Sequence, residues 1–125
     1  MKASGMAMVE TLVAAALLAL GLLGASRLTL RALDAAQQTR QMEQAQTLAR
    51  DAMDCALTSD AVCPASASVI RQGVTYTLQV QRVPVAAHLT EVSVQVAWPS
   101  PAGAQQLIWY TRRSDLPDWL GVSSP

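Results

Sequence analysis

The stretch Gly5-Met6-Ala7-Met8-Val9-Glu10, continued by Thr11 to Ala25, decides how this chain is built. Between Met6 and Ala25 the only polar side chains are those of Glu10 and Thr11. A helix rises about 1.5 Å per residue, so a helix over this run is about 30 Å long, which matches the hydrocarbon core of a bilayer. The run therefore predicts a helix that spans a membrane.

Glu10 is the unusual residue in this run. A carboxylate near the bilayer centre costs roughly 2.5–3.5 kcal/mol on insertion scales, and less toward either edge. A charged group kept in such a segment is by default a sign of function. We therefore expect Glu10 to have a positively charged partner.

The same stretch closely resembles the processing site of type IV prepilins and type II secretion pseudopilins. In that family a short basic leader ends in Gly, an apolar residue follows, and a Glu opens the long apolar helix. Here residues 1–5 form the leader, with Lys2 as its basic residue and Gly5 as its last. The resemblance implies that a membrane peptidase cuts after Gly5 and methylates the new Met6 amine. It also implies that Glu10 pairs with the N-terminal amine of an adjacent subunit.

Two other interpretations of the N-terminal segment remain open. An ordinary signal peptide would use Lys2 as its basic end and the run from Thr11 to Leu23 as its apolar region, with cleavage near Ala25. The sequence Leu23-Gly24-Ala25 lacks a small residue two positions before Ala25, which would be the last residue before that cut. The third interpretation is a plain membrane anchor that happens to contain a Glu.

The segment 26–57 predicts an amphipathic second half of the same helix. It contains good helix formers and neither Gly nor Pro. Small and apolar residues recur at three- and four-residue spacing, with Leu48 and Met53 beside them. These are Met42, Ala45, Ala49, Ala52 and Ala56. We expect this stripe to let a sheet pack closely against the helix. In the apolar half, Gly21 to Gly24 is where we expect any loss of helical form in a filament.

Residues 58–125 predict a small β domain with an irregular C-terminal tail. Thr58-Ser59-Asp60 ends the helix. Apolar and polar residues alternate over 74–81 and again over 91–98, which indicates two half-buried strands. A third strand is predicted from Gln106 to Arg112, and a short one around Val69 and Ile70. Together these elements predict an α+β fold, a long helix on a 3–4-stranded antiparallel sheet, and the resemblance implies that it is the type IV pilin fold.

Prolines and the tail delimit these strands. We expect Pro84 to break the first of the two, with Val85 to His88 as a connection. The segment from Pro99 to Gly103 predicts a turn. In the tail, Trp119-Leu120 either packs on its own domain or contacts a neighbouring subunit.

The two cysteines, Cys55 and Cys63, predict a disulfide if the chain is exported. Closing a loop of about nine residues stabilises the fold by about 2.5 kcal/mol on the chain-entropy estimate. The alternative is a pair of free thiols in a reducing compartment. With His88 the only histidine, the chain lacks the ligands for a zinc site.

Composition favours a structural subunit over an enzyme. Nine basic and nine acidic residues give a formal net charge of zero, without a basic block for nucleic acid. We see no nucleophile constellation, no metal site and no cofactor motif. His88 and the pair Asp51 and Asp54 are better explained as ordinary surface residues. The chain is therefore predicted to be a substrate of an enzyme.

Within the family, the residues resemble minor pilins of the PilV type. The resemblance is carried by Glu10-Thr11-Leu12-Val13, by the strand from Val92 to Trp98 and by Gln106-Leu107. It implies a single-pass inner-membrane protein with a periplasmic head, which later joins an extracellular pilus. The implied partners are other major and minor pilins, the prepilin peptidase and the inner membrane. A minor pseudopilin of type II secretion is the alternative in the family, and a monomeric anchored periplasmic binding module is the alternative outside it.

Overall fold

One long helix precedes four strands in the computed structural model, which describes residues 3–58 and 63–115. The helix α1 covers Ala3–Thr58. The strands are β1 (Ser66–Arg71), β2 (Val74–Ala86), β3 (Leu89–Ser100) and β4 (Gly103–Ser114). This confirms the α+β prediction, and α1 extends slightly beyond the expected 6–57. The chain divides into two units, with the boundary between Thr39 and Arg40.

The N-terminal unit is helix, and every side chain described from Ser4 to Thr39 is exposed. Several of its hydroxyl side chains donate hydrogen bonds to the carbonyl four residues earlier, a common partner for Ser and Thr inside a helix. Thr11 bonds the Ala7 oxygen at 2.8 Å, and Ser26 bonds the Leu22 oxygen at 2.8 Å. By length and composition alone, the helix that begins at Ser4 is apolar enough to cross a membrane.

The C-terminal unit contains an antiparallel sheet in the order β1-β2-β3-β4, so each strand pairs with its sequence neighbour. The predicted meander is confirmed. The turn between β1 and β2 is formed by Gln72 (φ 50°) and Gly73 (φ 78°). Two successive positive φ angles define a type I′ turn, whose twist suits a two-residue hairpin.

The core of this unit lies between the last four turns of α1 and one face of the sheet. Ala45, Ala49 and Ala56 are essentially fully buried, which confirms that the alanine stripe lets the sheet come close. The prediction of which residues form the stripe was partly wrong. Met42 is 37% exposed, whereas Leu48 and Met53 are buried. The sheet contributes the remaining buried side chains, which are Tyr76, Leu78, Val92, Val94, Val96 and Trp98.

The prediction that Pro84 breaks its strand was wrong, because β2 continues to Ala86. Proline is tolerated in a sheet where its missing N–H faces an open edge, or at a bulge. Both conditions hold here. The paired residues of β1 reach no further along β2 than Gln79, and the β2–β3 register shifts between Pro84 and Ala86. The turn that follows is therefore only Ala87 and His88.

Two other strand boundaries also differ from expectation. Pro99 and Ser100 belong to β3, so the turn before β4 is shorter than predicted. Pro99 pairs only with Ala104 of β4, since the β2–β3 pairing stops at Ala97. The third predicted strand, over 106–112, lengthens to Gly103–Ser114. The expectations for Ser59-Asp60 and for Trp119-Leu120 lie outside the described residues.

Candidate assembly segment of the helix

The segment around Gly5, Met6 and Glu10 lies entirely on helix. A Cβ at Gly5 would meet no atom within 4 Å, so its backbone is open on that side. The Met6 side chain is 80% exposed. The leader residues Met1 and Lys2 lie outside the described residues. The predicted cleavage and methylation at Gly5 and Met6 remain predictions.

Glu10 lies in apolar surroundings along one side of the helix. The helix repeats every 3.6 residues, so three residues lie on the same side as Glu10: one that is four positions before it, and two that are three and seven positions after it. These are Met6, Val13 and Leu17, and together with Gly5, Val9 and Ala14 they line an open hollow that includes Glu10. The carboxylate is thus the single charged group in a hollow lined otherwise by apolar residues and Gly5.

Glu10 makes no ion pair within the described part of the chain. Ion pairs in that part of the chain join Arg112 to Glu91 and Arg113 to Asp115. The first described basic residue after Glu10 is Arg27, which lies seventeen positions along the sequence and about 25 Å along the helix. A basic group within residues 3–58 or 63–115 could therefore pair with Glu10 only if it belonged to a second molecule.

The apolar surface beside Glu10 is extensive, and its large side chains are more than half exposed. They include Met8, Leu12, Leu17, Leu20 and Leu23. A Cβ at Gly21 or Gly24 would meet no atom within 4 Å, so neither glycine is needed for packing in this chain. Small residues on apolar helices allow another helix to approach closely. The glycines thus leave room for a neighbouring helix.

Cys55 and Cys63 form a disulfide, with their Cα atoms 5.9 Å apart. Cys55 lies in the last turn of α1, and Cys63 comes shortly before β1. The predicted pairing is confirmed, in place of the alternative of two free thiols. The bond ties the end of the helix to the chain that enters the sheet.

The other candidate residues are spread over the surface. His88 occupies the turn after β2, and its carbonyl accepts a hydrogen bond from the Asp115 N–H at 2.9 Å. Asp51 and Asp54 are exposed on α1. Among residues 3–58 and 63–115, no three His, Cys, Asp or Glu residues are grouped as metal ligands would be. That the chain is not an enzyme stays a prediction.

The sheet face that points away from the helix was not among the predicted sites. This face, called the outer face below, carries Tyr110, which is 67% exposed. It also carries a cross-strand ion pair, in which Arg112 Nε lies 3.2 Å from Glu91 Oε2. The alternation of β4 was the available signal, because half-buried Trp109 and exposed Tyr110 must point to opposite faces.

Comparison with protein-family models, with curated proteins and with solved structures found no match to this chain.

Proposed function

We propose that this chain is a minor pilin subunit of a type IV pilus. In this proposal it is cut after Gly5 and methylated on the amine of Met6. It then packs into the filament, or into the complex that initiates it, through the apolar part of α1. Glu10 pairs with the N-terminal amine of an adjacent subunit.

One observation carries the proposal: Glu10 has no ion-pair partner among residues 3–58 and 63–115, and it lies on a helix whose large apolar side chains are exposed from Met6 to Leu33. In water the attraction between two unit charges 4 Å apart is only about 1 kcal/mol, and it rises several-fold in surroundings of lower dielectric. Desolvation of both ions offsets part of that gain, so a pair of this kind selects geometry more than it adds affinity. Glu10 would thus favour one stagger between subunits, while the leucines and methionines supply adhesion.

The proposed location follows from the same helix. Before assembly the chain is held in the inner membrane by the apolar part of α1, with the sheet in the periplasm. After assembly it belongs to the extracellular filament. A disulfide between Cys55 and Cys63 is compatible with the oxidising periplasm. The proposed partners are other pilins and the prepilin peptidase.

The mature N-terminus tests the proposal most directly. The full-length chain is expressed in cells with and without a functional prepilin peptidase, purified from membranes and analysed by intact-mass and N-terminal peptide mass spectrometry. We expect the chain to begin at Met6 with one added methyl group when the peptidase is present. We expect it to begin at Met1 when the peptidase is absent.

A matched pair of glycine variants separates processing from helix stability. Gly5→Leu should block cleavage, because it places a bulky side chain at the cut. Gly24→Leu changes a helical glycine in the same way but should leave cleavage intact. A chain cut after Ala25, or one that keeps Met1 in peptidase-positive cells, contradicts the proposal.

A second experiment separates the pilus from the secretion system. The gene is deleted, and surface pili and secreted proteins are then measured in the same strain. Fewer pili with unchanged secretion supports a minor pilin. The reverse result supports a minor pseudopilin.

A further inference from the structure

The outer face of the sheet has a shallow hollow of about 180 Å³ that spans β2, β3 and β4. Alternate residues of the three strands line it, because the buried members of each strand point toward the helix. Its lining includes Gln79, Gln81, Ser93, Gln95, Ile108 and Tyr110.

Tyr110 lines a second hollow as well as this one. A second, wider depression of about 610 Å³ is lined by Glu91, Tyr110, Thr111 and Arg112. Tyr110 and Glu91 therefore border both hollows, and Tyr110 is 67% exposed. The register of β3 and β4 also places these side chains close together, because Tyr110 pairs with Ser93 and Ile108 pairs with Gln95. An exposed aromatic ring thus has hydrogen-bonding side chains around it.

The groups around this ring carry no net charge. Each glutamine amide offers two donors and a carbonyl acceptor, and Ser93 adds a hydroxyl. Gln95 Nε2 already donates to Gln106 Oε1 at 3.0 Å, which restrains the orientation of both amides. The charged groups that border the two hollows are Glu91 and Arg112, and they neutralise each other at 3.2 Å.

We propose that this outer face binds a neutral glycan, with the ring of Tyr110 as its stacking platform. One side of a hexose ring presents C–H groups that pack on an aromatic ring, and its hydroxyls exchange hydrogen bonds with planar amides. The smaller hollow has the size of about one sugar unit. The lack of net charge matches an uncharged polyol and offers no attraction to an acidic polymer. The site is independent of Glu10 and of assembly into a filament.

The test is calorimetric titration of the purified full-length chain in dodecylphosphocholine, because a glycoside detergent would itself occupy the site. The probes are maltohexaose, cellohexaose and mannohexaose, each raised to about 10 mM, with a heparin hexasaccharide as the anionic comparison. We expect at least one neutral probe to bind with a dissociation constant of about 1 mM or lower. We expect heparin not to bind.

Three variants assign any binding to Tyr110. Tyr110→Ala should weaken it at least about tenfold, which corresponds to about 1.4 kcal/mol. Tyr110→Phe retains the ring and should stay within about threefold of the parent chain. Ile70→Ala removes another exposed apolar side chain from the same face, in β1, and should bind like the parent. Near-ultraviolet circular dichroism checks that each variant is folded.

Other results overturn the assignment. The site is refuted if no neutral probe binds at the highest concentration, or if heparin alone binds. It is also refuted if Tyr110→Ala and Ile70→Ala lower affinity equally, since binding would then not depend on the Tyr110 ring.

Discussion

Arg82 of β2 donates a hydrogen bond from Nη2 to the main-chain oxygen of Ala56 in the last turn of α1, at 3.2 Å. Arg113 of β4 donates a hydrogen bond from Nη1 to the main-chain oxygen of the next residue, Leu57, also at 3.2 Å. The last carbonyls of a helix lack partners in the helix and carry partial negative charge. The last turn of α1 contains no basic residue, so the sheet supplies the cations.

Removing Arg82 should loosen this junction. A hydrogen bond from a charged donor contributes more than a neutral one, although the exposure of Arg82 screens part of the interaction. We expect Arg82→Met to lower the free energy of unfolding of the C-terminal unit by about 1 kcal/mol. Denaturant titration followed by near-ultraviolet circular dichroism measures it. Arg71→Met, an exposed arginine of β1, is the matched control and should change stability by less than about 0.5 kcal/mol.

The disulfide reinforces the same end of the helix. Replacing Cys55 and Cys63 together by serine should lower the free energy of unfolding by about 2.5 kcal/mol, because the unfolded chain regains the freedom of the closed loop. Treating the parent chain with dithiothreitol should give a similar loss, and the double variant should not respond to the reagent. An equal response of both proteins would show that the reagent acts by a route other than reduction of this disulfide.

The alanine stripe sets how closely α1 approaches the sheet. Ala49 is fully buried, so a larger side chain has no space without moving the helix or its neighbours. We expect Ala49→Leu to destabilise the C-terminal unit by about 1–3 kcal/mol, although Leu is a good helix former. Ala36→Leu makes the same change at an exposed helix position and should be nearly neutral. Comparable losses in both variants would argue against close packing as the cause.

Tyr76 should make stability fall at high pH. Burial raises the pKa of the Tyr76 hydroxyl above its usual value of 10.0. Above pH 10 the unfolded chain therefore releases this proton while the folded chain keeps it, which favours unfolding. The free energy of unfolding should be unaffected by this group below pH 10. It should then decline with rising pH by at most about 1.4 kcal/mol per unit.

Tyr76→Phe isolates that effect. The variant keeps the ring that lies 5.9 Å from Trp98, centroid to centroid, and loses only the titrating hydroxyl. Its stability should decline less steeply than that of the parent chain between pH 10 and 11. Identical slopes in the two proteins would assign the decline to other groups.

Buried positions that recur at a regular spacing within one helix or strand were predictable from the sequence. Val92, Val94 and Val96 alternate with polar residues, and the structure buries all three. Ala45 and Ala49 recur at helical spacing and are buried likewise. In each case a single period, two for the strand and about 3.6 for the helix, determines which side chains face the core.

Features that depend on distant parts of the chain were not predictable in this way. Pro84 fits inside β2 because β1 pairs with no residue of β2 beyond Gln79 and because the β2–β3 register shifts next to it. Arg82 and Arg113 find carbonyl partners 26 and 56 residues earlier in the sequence. Glu10 was recognisable as a charge on an apolar helix. Its proposed partner belongs to a second molecule, which no pattern within one chain can locate.

We expect Glu10 to be needed for incorporation of the chain into filaments. We expect Glu10→Gln, which keeps the shape but removes the charge, to reduce incorporation into filaments at least about tenfold, as a lost charge-assisted pair of 1.4 kcal/mol or more would do. Glu10→Ala should be at least as defective. Asp34→Asn removes an exposed acid from the same helix and should assemble normally. Incorporation is measured by immunoblotting sheared filaments against whole-cell protein.

A defect in folding would not explain that result. Glu10 is exposed and belongs to the N-terminal unit, so its replacement should leave the unfolding of the C-terminal unit unchanged. Cleavage after Gly5 should also persist in Glu10→Gln, which would place the defect after processing. If Glu10→Gln enters filaments as well as the parent chain, the carboxylate has no part in subunit packing. The exposed apolar surface of α1 would then be sufficient for assembly.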